Sequence, residues 1–290
     1  MKKWWFCVGM AELINLEEEE DMASKYDGVI ERVFFNNFSQ TSTVPFDREE
    51  LAQACRDLGF DRIKNLGDIV YSYRFRKELP AKINETAPDG CEWIIVGTRI
   101  GSYMFRLSQI SKIEPAPGRQ QIKIPDATPE IVKMYAPAND EQALLTKVRY
   151  NRIIDLFTGI TCYSIQNHLR TTVENIGQIE VDEIYLGISK NGGHYIFPCQ
   201  AKSPGDKFGI VQVMQDIAFC KSKYPAVICR PVAMQFTGED SFAILLLNIE
   251  TEDDILKLVV IDEKQYRLVN KHELTSDEIE YYNTLNCVSD

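Results

Sequence analysis

Apolar and polar positions recur with two different periods along this chain, and the switches between them outline its elements. In "VPFDREELAQACRDLGF" the spacing predicts a helix: Asp47 stands as N-cap, and Glu50 follows three residues later as in a capping box. Phe46 and Leu51 can form a hydrophobic staple, and Gly59 ends the segment. "KNLGDIVYSYRFRKELP" repeats the pattern with Asn65 as cap, Asp68 three residues on and Pro80 as the stop. "WIIVGTRIGSYMFRL" predicts two strands around a glycine-containing loop, a hairpin. Further on, "PAPGRQQIKIPDATPE" reads as a linker, and Thr128-Pro129 opens a short helix as N-cap and first helical residue. The Pro125-Asp126 pair in it is expected to be structural.

From Asp140 the pattern changes. "DEQALLTKVRYNRIIDLF" places Leu144, Leu145, Val148, Ile153, Ile154 and Phe157 on one helical stripe. "CYSIQNHLRTTVEN" predicts a second, shorter helix ended by Gly177. "QIEVDEIYLGI" and "HYIFPCQAK" are rich in β-branched and aromatic residues and are joined by "SKNGG", which predicts an antiparallel hairpin. "FGIVQVMQDIAFCKSKYP" predicts a helix, and "AVICRPVAMQF", "FAILLLNIE" and "KLVVIDEKQYRLV" predict further strands. The expected organisation is a loose N-terminal arm over 1–40, a winged-helix-like domain over 41–115, a linker with a short helix over 116–139, and an α/β (α+β) domain over 140–290.

Composition adds bounds. The 290 residues are enough for two domains, and 44% apolar residues supply ample core. A net charge of −11 argues against a chain coated in nucleic acid or held on an anionic membrane, though not against a local basic groove. One segment runs against the trend: from Arg62 to Arg106 there are eight lysines and arginines against five acids. Arg74, Arg76 and Lys77 trail the second predicted helix, Arg99 sits in the hairpin loop, and Tyr71 and Tyr73 interleave, a composition suited to phosphate contact. The eight cysteines include no CxxC pair and the three histidines are dispersed, so a zinc site is not expected. Reduced, buried thiols fit a cytoplasmic protein. The opening "MKKWWFCVGMAELINLEEEED" starts like a signal peptide, but Glu12 interrupts its apolar run and no stretch is long enough to span a bilayer.

Strand periodicity then isolates a polar cluster. Tyr195, Phe197, Cys199 and Ala201 share one face of their strand and Pro198, Gln200 and Lys202 the other. On the paired strand Glu180, Asp182 and Ile184 share a face, opposite Val181, Glu183 and Tyr185. A hairpin closed over "SKNGG" brings Asp182 towards Gln200 and Lys202. A carboxylate, an amide oxygen and a lysine in one place suit metal-assisted hydrolysis, with Mg²⁺ as the hard cation and Lys202 near the attacking water.

Asp182 followed by "QAK" at the end of the next strand, with a glutamine-bearing helix after it, resembles the PD-(D/E)xK nucleases. These share the restriction endonuclease-like fold, a central mixed sheet flanked by helices. The QxK form resembles the Mrr-type branch, which also joins an N-terminal winged helix to the nuclease domain. The resemblance covers roughly residues 140–235. It implies a metal-dependent DNA endonuclease of the restriction or defence type, using Mg²⁺ with Mn²⁺ as a substitute and working on double-stranded DNA as a homodimer. It assigns the metal-ligand role to Asp182, the second-ligand position to Gln200 and the lysine role to Lys202. Gln215 or Gln212 matches the helix glutamine, and Glu141 is the candidate upstream glutamate, with Glu174 and Glu183 as rivals. Gln200 stands where an acid is more usual, which lowers the negative charge of the site. Arg170 and His168 in "QNHLRTTV" can reach a phosphate or cap the segment. A non-catalytic DNA-binding protein that kept the fold, and a structure-specific repair or junction nuclease, are the alternatives.

Overall fold

The computed structural model describes residues 24–60, 65–135, 140–173, 176–270 and 272–285. They form a mixed α/β fold with a large mixed sheet flanked by helices, divided into two compact units. The first comprises the described residues up to 111 with 176–177 and 251–257; the second takes the rest. No helix among the described residues is long and apolar enough to cross a membrane.

The first unit starts with a helix where a loose arm was expected. Helix α1 (24–37) buries Val29, Ile30, Val33 and Phe34 in the unit's core. Strand β1 (Thr43–Asp47) follows, then α2 (Arg48–Asp57), α3 (Leu66–Phe75), the single turn α4 (Ala81–Asn84), and the hairpin β2 (Glu92–Arg99) and β3 (Ser102–Ile110). The capping box at α2 forms in full: Asp47 Oδ1 accepts from the Glu50 N–H and Glu50 Oε2 from the Asp47 N–H. Such a cap is worth about 1 kcal/mol. Asn65 caps α3 by accepting from the Gly67 N–H. Strand β3 pairs antiparallel with both β1 and β2. Alternate strand residues therefore reach one core, where Phe34, Phe46, Trp93 and Phe105 meet. Arg62 and Lys64 of the basic segment lie outside the described residues, as do residues 1–23 of the arm.

The second unit opens on β4 (Lys112–Ile113) and β5 (Gln121–Pro125), then α5 (Glu130–Tyr135). The described part of the expected linker, 116–135, is thus more than a linker: β5 lies parallel to the last strand, and Ile122 and Ile124 pack on the main core. Helices α6 (Glu141–Tyr150) and α7 (Ile153–Thr158) replace the single helix expected from the apolar stripe. The break falls at Arg152, whose φ is +51°. Beside it Asn151, almost fully buried, donates to Asp126, Thr128 and the Lys147 carbonyl and accepts from the Ala127 N–H. Asp126 is structural, as expected.

Strands β6 (Thr161–Val173), β7 (Gly177–Ile188) and β8 (His194–Lys202) come next. The helix expected over "CYSIQNHLRTTVEN" is a correction: its described residues, 162–173, lie in edge strand β6. After the two-residue β9 (Phe208–Gly209) comes α8 (Ile210–Lys223), then β10 (Ile228–Cys229), β11 (Val232–Phe236), β12 (Ser241–Glu252), β13 (Ile255–Val269) and α9 (Ser276–Leu285). The order across this unit's sheet is β5-β13-β12-β11-β8-β7-β6. The β7/β8 and β11/β12 pairs are antiparallel, β8/β11 parallel. Strand alternation divides β8 between two layers. Phe197, Cys199 and Ala201 join the core with α6 and α7, whereas Gln200 bonds to α8 on the opposite side. Gly187 in β7 has no room for a side chain, since a Cβ there would lie 2.8 Å from Phe197 and 2.9 Å from Ile160.

Candidate active site at the fork of two strands

The paired strands β7 and β8 stop pairing where the polar residues begin. Their ladder runs from Ile188 opposite His194 to Glu183 opposite Cys199. Beyond that point side chains take over from the backbone. Asp182 Oδ2 accepts the Ala201 N–H at 2.8 Å, and Gln200 Nε2 donates to the Glu180 carbonyl at 3.0 Å. β8 continues in register with β11 on its other side, with Gln200 beside Ala233 and Lys202 beside Gln235. The fork thus leaves the end of β8 paired to Asp182 by a side chain instead of by a strand.

Glu141 arrives from the first turn of α6, behind an Asp140 cap that accepts from the Ala143 N–H. Its Oε1 accepts from the Ser203 hydroxyl at 3.0 Å, one residue past Lys202. Asp182 is largely buried, and burial pushes its carboxyl up from the ordinary range. The Ala201 N–H and the Lys202 ammonium oppose that shift, while Glu141 and Glu180 add to it by repulsion. Asp182, Glu141 and Lys202 therefore share one electrostatic neighbourhood. The turn after Lys202 is held by Gln235, whose Nε2 donates to the carbonyls of Ser203 (2.5 Å) and Asp206 (2.8 Å). Gly205 sits at φ +89°, where a side chain would be strained.

Gln200 is nearly fully buried and bonded at both ends. Besides the Glu180 carbonyl, its Nε2 meets Asp216 Oδ1 at 3.1 Å and Oδ2 at 3.2 Å; its Oε1 accepts from Gln212 Nε2 at 2.8 Å. Asp216 is 1% exposed. Burial pushes its carboxyl well above the ordinary range, against the Gln200 amide and Lys202, with Cys229 and Asp182 adding to the rise. Of the two helix glutamines, Gln212 reaches Gln200. Gln215, expected in the site, instead donates to the Gln178 carbonyl at 3.3 Å.

The other expectations separate clearly. Glu183, a rival for the second acid, is 0% exposed and belongs to the opposite layer. Its Oε1 takes Arg149 Nε at 2.8 Å and the Ser164 hydroxyl at 2.6 Å. Glu174 lies outside the described residues. Arg170, expected to meet DNA, holds Glu180 with two nitrogens at 2.9 and 3.0 Å, and His168 lies 3.7 Å from the same carboxylate. Lys77 pairs with Asp27 at 3.7 Å. Arg74 is largely withdrawn from solvent: burial pushes its guanidinium down, and its buried Nε has no hydrogen-bond partner. Arg76, stacked over the Tyr71 ring, and Arg99, bonded to the Ser102 hydroxyl, are exposed.

Ser203, Asp216 and Gln235 were not singled out from sequence. A glutamine inside the apolar run "VAMQF" and an acid four residues after Gln212 were the signals available. A separate cavity of about 230 Å³ lies by α6, α7, β6 and β7, bordered by Arg149, Arg152, Asp155, Ser164 and Tyr185 among others. Its arginines are already paired with Glu183 and Asp155.

The donor set at the fork suits a hard cation in one respect and limits it in another. Glu141 adds by repulsion to the upward push on the Asp182 carboxyl, and a divalent ion beside Asp182 would relieve that repulsion and the burial cost. Among the described residues, however, no three His, Cys, Asp or Glu side chains group closely enough to hold a metal. Such a site fits Mg²⁺, which keeps much of its water and binds through one or two carboxylates. The six cysteines among the described residues are free thiols. No protein-family model matches the chain, and no curated protein or solved structure matches it.

Proposed function

We propose that this chain is a metal-dependent DNA endonuclease of the PD-(D/E)xK type, in its QxK form. The observation that carries the reading is the fork: Asp182 one residue past the end of the β7/β8 ladder, Lys202 at the end of β8, and Glu141 entering from α6 beside Ser203. Asp182 and Glu141 would hold Mg²⁺ or Mn²⁺. When bound, the ion would neutralise charge on a scissile phosphate and lower the cost of deprotonating water. Lys202 would orient the attacking water and stabilise the extra negative charge of the pentavalent transition state. Asp182, held by the Ala201 N–H, is fixed before any substrate arrives.

The first unit supports a DNA partner. Its order, helix, strand, helix, helix, a single helical turn, then a two-stranded hairpin, resembles that of a winged helix, with Arg99 at the end of the first hairpin strand. Arg76 and Arg99 supply exposed cations for phosphate. A homodimer, as the resemblance implies, would let two sites cut both strands.

A second reading draws on the chemistry of Gln200. Its amide is spent on Glu180, Asp216 and Gln212, and no three acidic or metal-ligating groups converge. That favours a DNA-binding protein that kept the fold without cutting. A cleavage assay on supercoiled, linear, branched and methylated DNA with Mg²⁺ and Mn²⁺, wild type beside Lys202→Ala, separates the two. The nuclease reading expects metal-dependent nicking that falls about 10²-fold or more in the variant. Binding of DNA with no cutting of any substrate establishes the second reading instead.

A further inference from the structure

We infer that Asp216 is a positioning residue that fixes which end of the Gln200 amide faces the site, an inference that rests on the nuclease reading above. A glutamine amide has two N–H donors and one carbonyl oxygen with two lone pairs. At Gln200 both donors are used: one on the Glu180 carbonyl at 3.0 Å, the other shared between Asp216 Oδ1 and Oδ2 at 3.1 and 3.2 Å. Gln212 Nε2 occupies one lone pair of Oε1 at 2.8 Å. Flipping the amide would set its oxygen against a backbone carbonyl and a carboxyl, and its N–H₂ against the Gln212 N–H₂. The Glu180 carbonyl, which can only accept, opposes the flip outright, and the Asp216 and Gln212 side chains as placed add to it. The valence left open is the second lone pair of Oε1, so any further group that binds at this amide meets oxygen and not N–H.

The placement of Asp216 follows from helix geometry. Gln212 and Asp216 are four residues apart on α8, hence on one face, and they straddle the Gln200 side chain. Asp216 is 1% exposed and pairs with no lysine or arginine among the described residues, so its hydrogen-bonding capacity is directed at Gln200. The acid that the strand end lacks thus stands one layer behind it, on the helix. An acid at position 200 would face the Asp216 carboxyl across about 3 Å, a like-charge pair that cannot both ionise cheaply. Glutamine avoids that pair.

The test compares Asp216→Ala, which removes the acceptor, with Asp216→Asn, which keeps one acceptor oxygen and guards against a variant that simply fails to fold. Two readouts are taken on the full chain: the ¹⁵N side-chain amide resonances of Gln200, assigned by their loss in Gln200→Glu, and Mn²⁺ affinity by calorimetry. The expectation is that Asp216→Ala shifts one Gln200 N–H resonance towards the free-amide position and weakens Mn²⁺ about tenfold or more, whereas Asp216→Asn keeps both close to wild type. Unchanged amide resonances in Asp216→Ala overturn the positioning role. Shifted resonances with unchanged Mn²⁺ affinity overturn its link to the cation. Failure of the wild type itself to bind Mn²⁺ overturns the nuclease reading, and the amide resonances still decide separately whether Asp216 orients Gln200.

Discussion

Asp182 accepts the backbone N–H of Ala201 through Oδ2 at 2.8 Å, at the point where the β7/β8 ladder has ended. One carboxylate thereby closes the fork and faces the site. Asparagine can accept the same N–H, so Asp182→Asn separates the two duties. The variant removes a largely buried negative charge that Glu141 and Glu180 repel. Its melting temperature is expected to equal or exceed that of the wild type at neutral pH, while Mn²⁺ binding and DNA cleavage are lost. A fall in melting temperature together with retained Mn²⁺ binding would assign Asp182 to the fold alone.

The opposite layer makes a different prediction. Glu183 has no solvent exposure, and Arg149 meets it at 2.8 Å while remaining partly exposed itself. Breaking a buried pair from one side leaves an uncompensated charge. Arg149→Met is expected to cost about 3 kcal/mol in denaturant unfolding. The double variant Arg149→Met/Glu183→Leu removes both charges and is expected to recover most of that loss. A double variant as unstable as the single one would show that packing, and not charge, sets the cost.

Much of this was legible in the sequence wherever the signal is local. The caps Asp47 and Asn65 were readable because capping is decided within a few residues. Asp182, Gln200 and Lys202 were readable because strand alternation sorts faces. Strand β6 was misread because Cys162, Ile165, Leu169 and Val173 are spaced as on a helix, and an edge strand buries too few residues to show a period of two: only Cys162, Leu169 and Val173 are buried. The break between α6 and α7 was not readable, because Asn151 is held by Asp126 and Thr128 from an earlier segment. Sequence could not choose between Gln212 and Gln215 because the phase of α8 depends on how it packs against β8. Asp216 was passed over because a helix acid ordinarily faces water, and nothing local says that this one is buried.

Asp126 carries a pH dependence whose sign can be worked out. Burial pushes its carboxyl up, but hydrogen bonds from Thr128, Lys133 and Asn151 outweigh that and hold it below the ordinary value. A depressed acid binds its proton later in the fold than in the unfolded chain. Its stabilisation is therefore present above the unfolded value of about 3.9 and is lost as pH falls through the lower folded value. Asp126→Asn lacks this contribution at every pH. The stability gap between wild type and variant, measured by denaturant unfolding, is expected to be full at pH 6 and to close below about pH 4. A gap that stayed constant through the acid range would show that the ionised form of Asp126 is not what its partners stabilise.

The cations of the first unit differ in how free they are, and salt dependence reads that difference. Each phosphate contact releases counterions, so removing one lowers the slope of log K against log salt by about 1. Arg76 and Arg99 are exposed and carry no carboxylate partner among the described residues, their contacts being the Tyr71 ring and the Ser102 hydroxyl. Arg74 is largely withdrawn from solvent, and Lys77 is held by Asp27 and lies over the Tyr73 ring. Arg76→Ala and Arg99→Ala are each expected to weaken duplex binding and lower the slope by about 1, uniformly across sequences. Lys77→Ala is expected to leave the slope unchanged and to act only on the stability of the unit. Fluorescence anisotropy on a labelled duplex between 50 and 200 mM salt, conditions in which about six contacts already change affinity on the order of 10³-fold, resolves such differences. Equal slopes for wild type, Arg76→Ala and Arg99→Ala would remove this unit from the DNA interface and leave the fork to find its substrate without it.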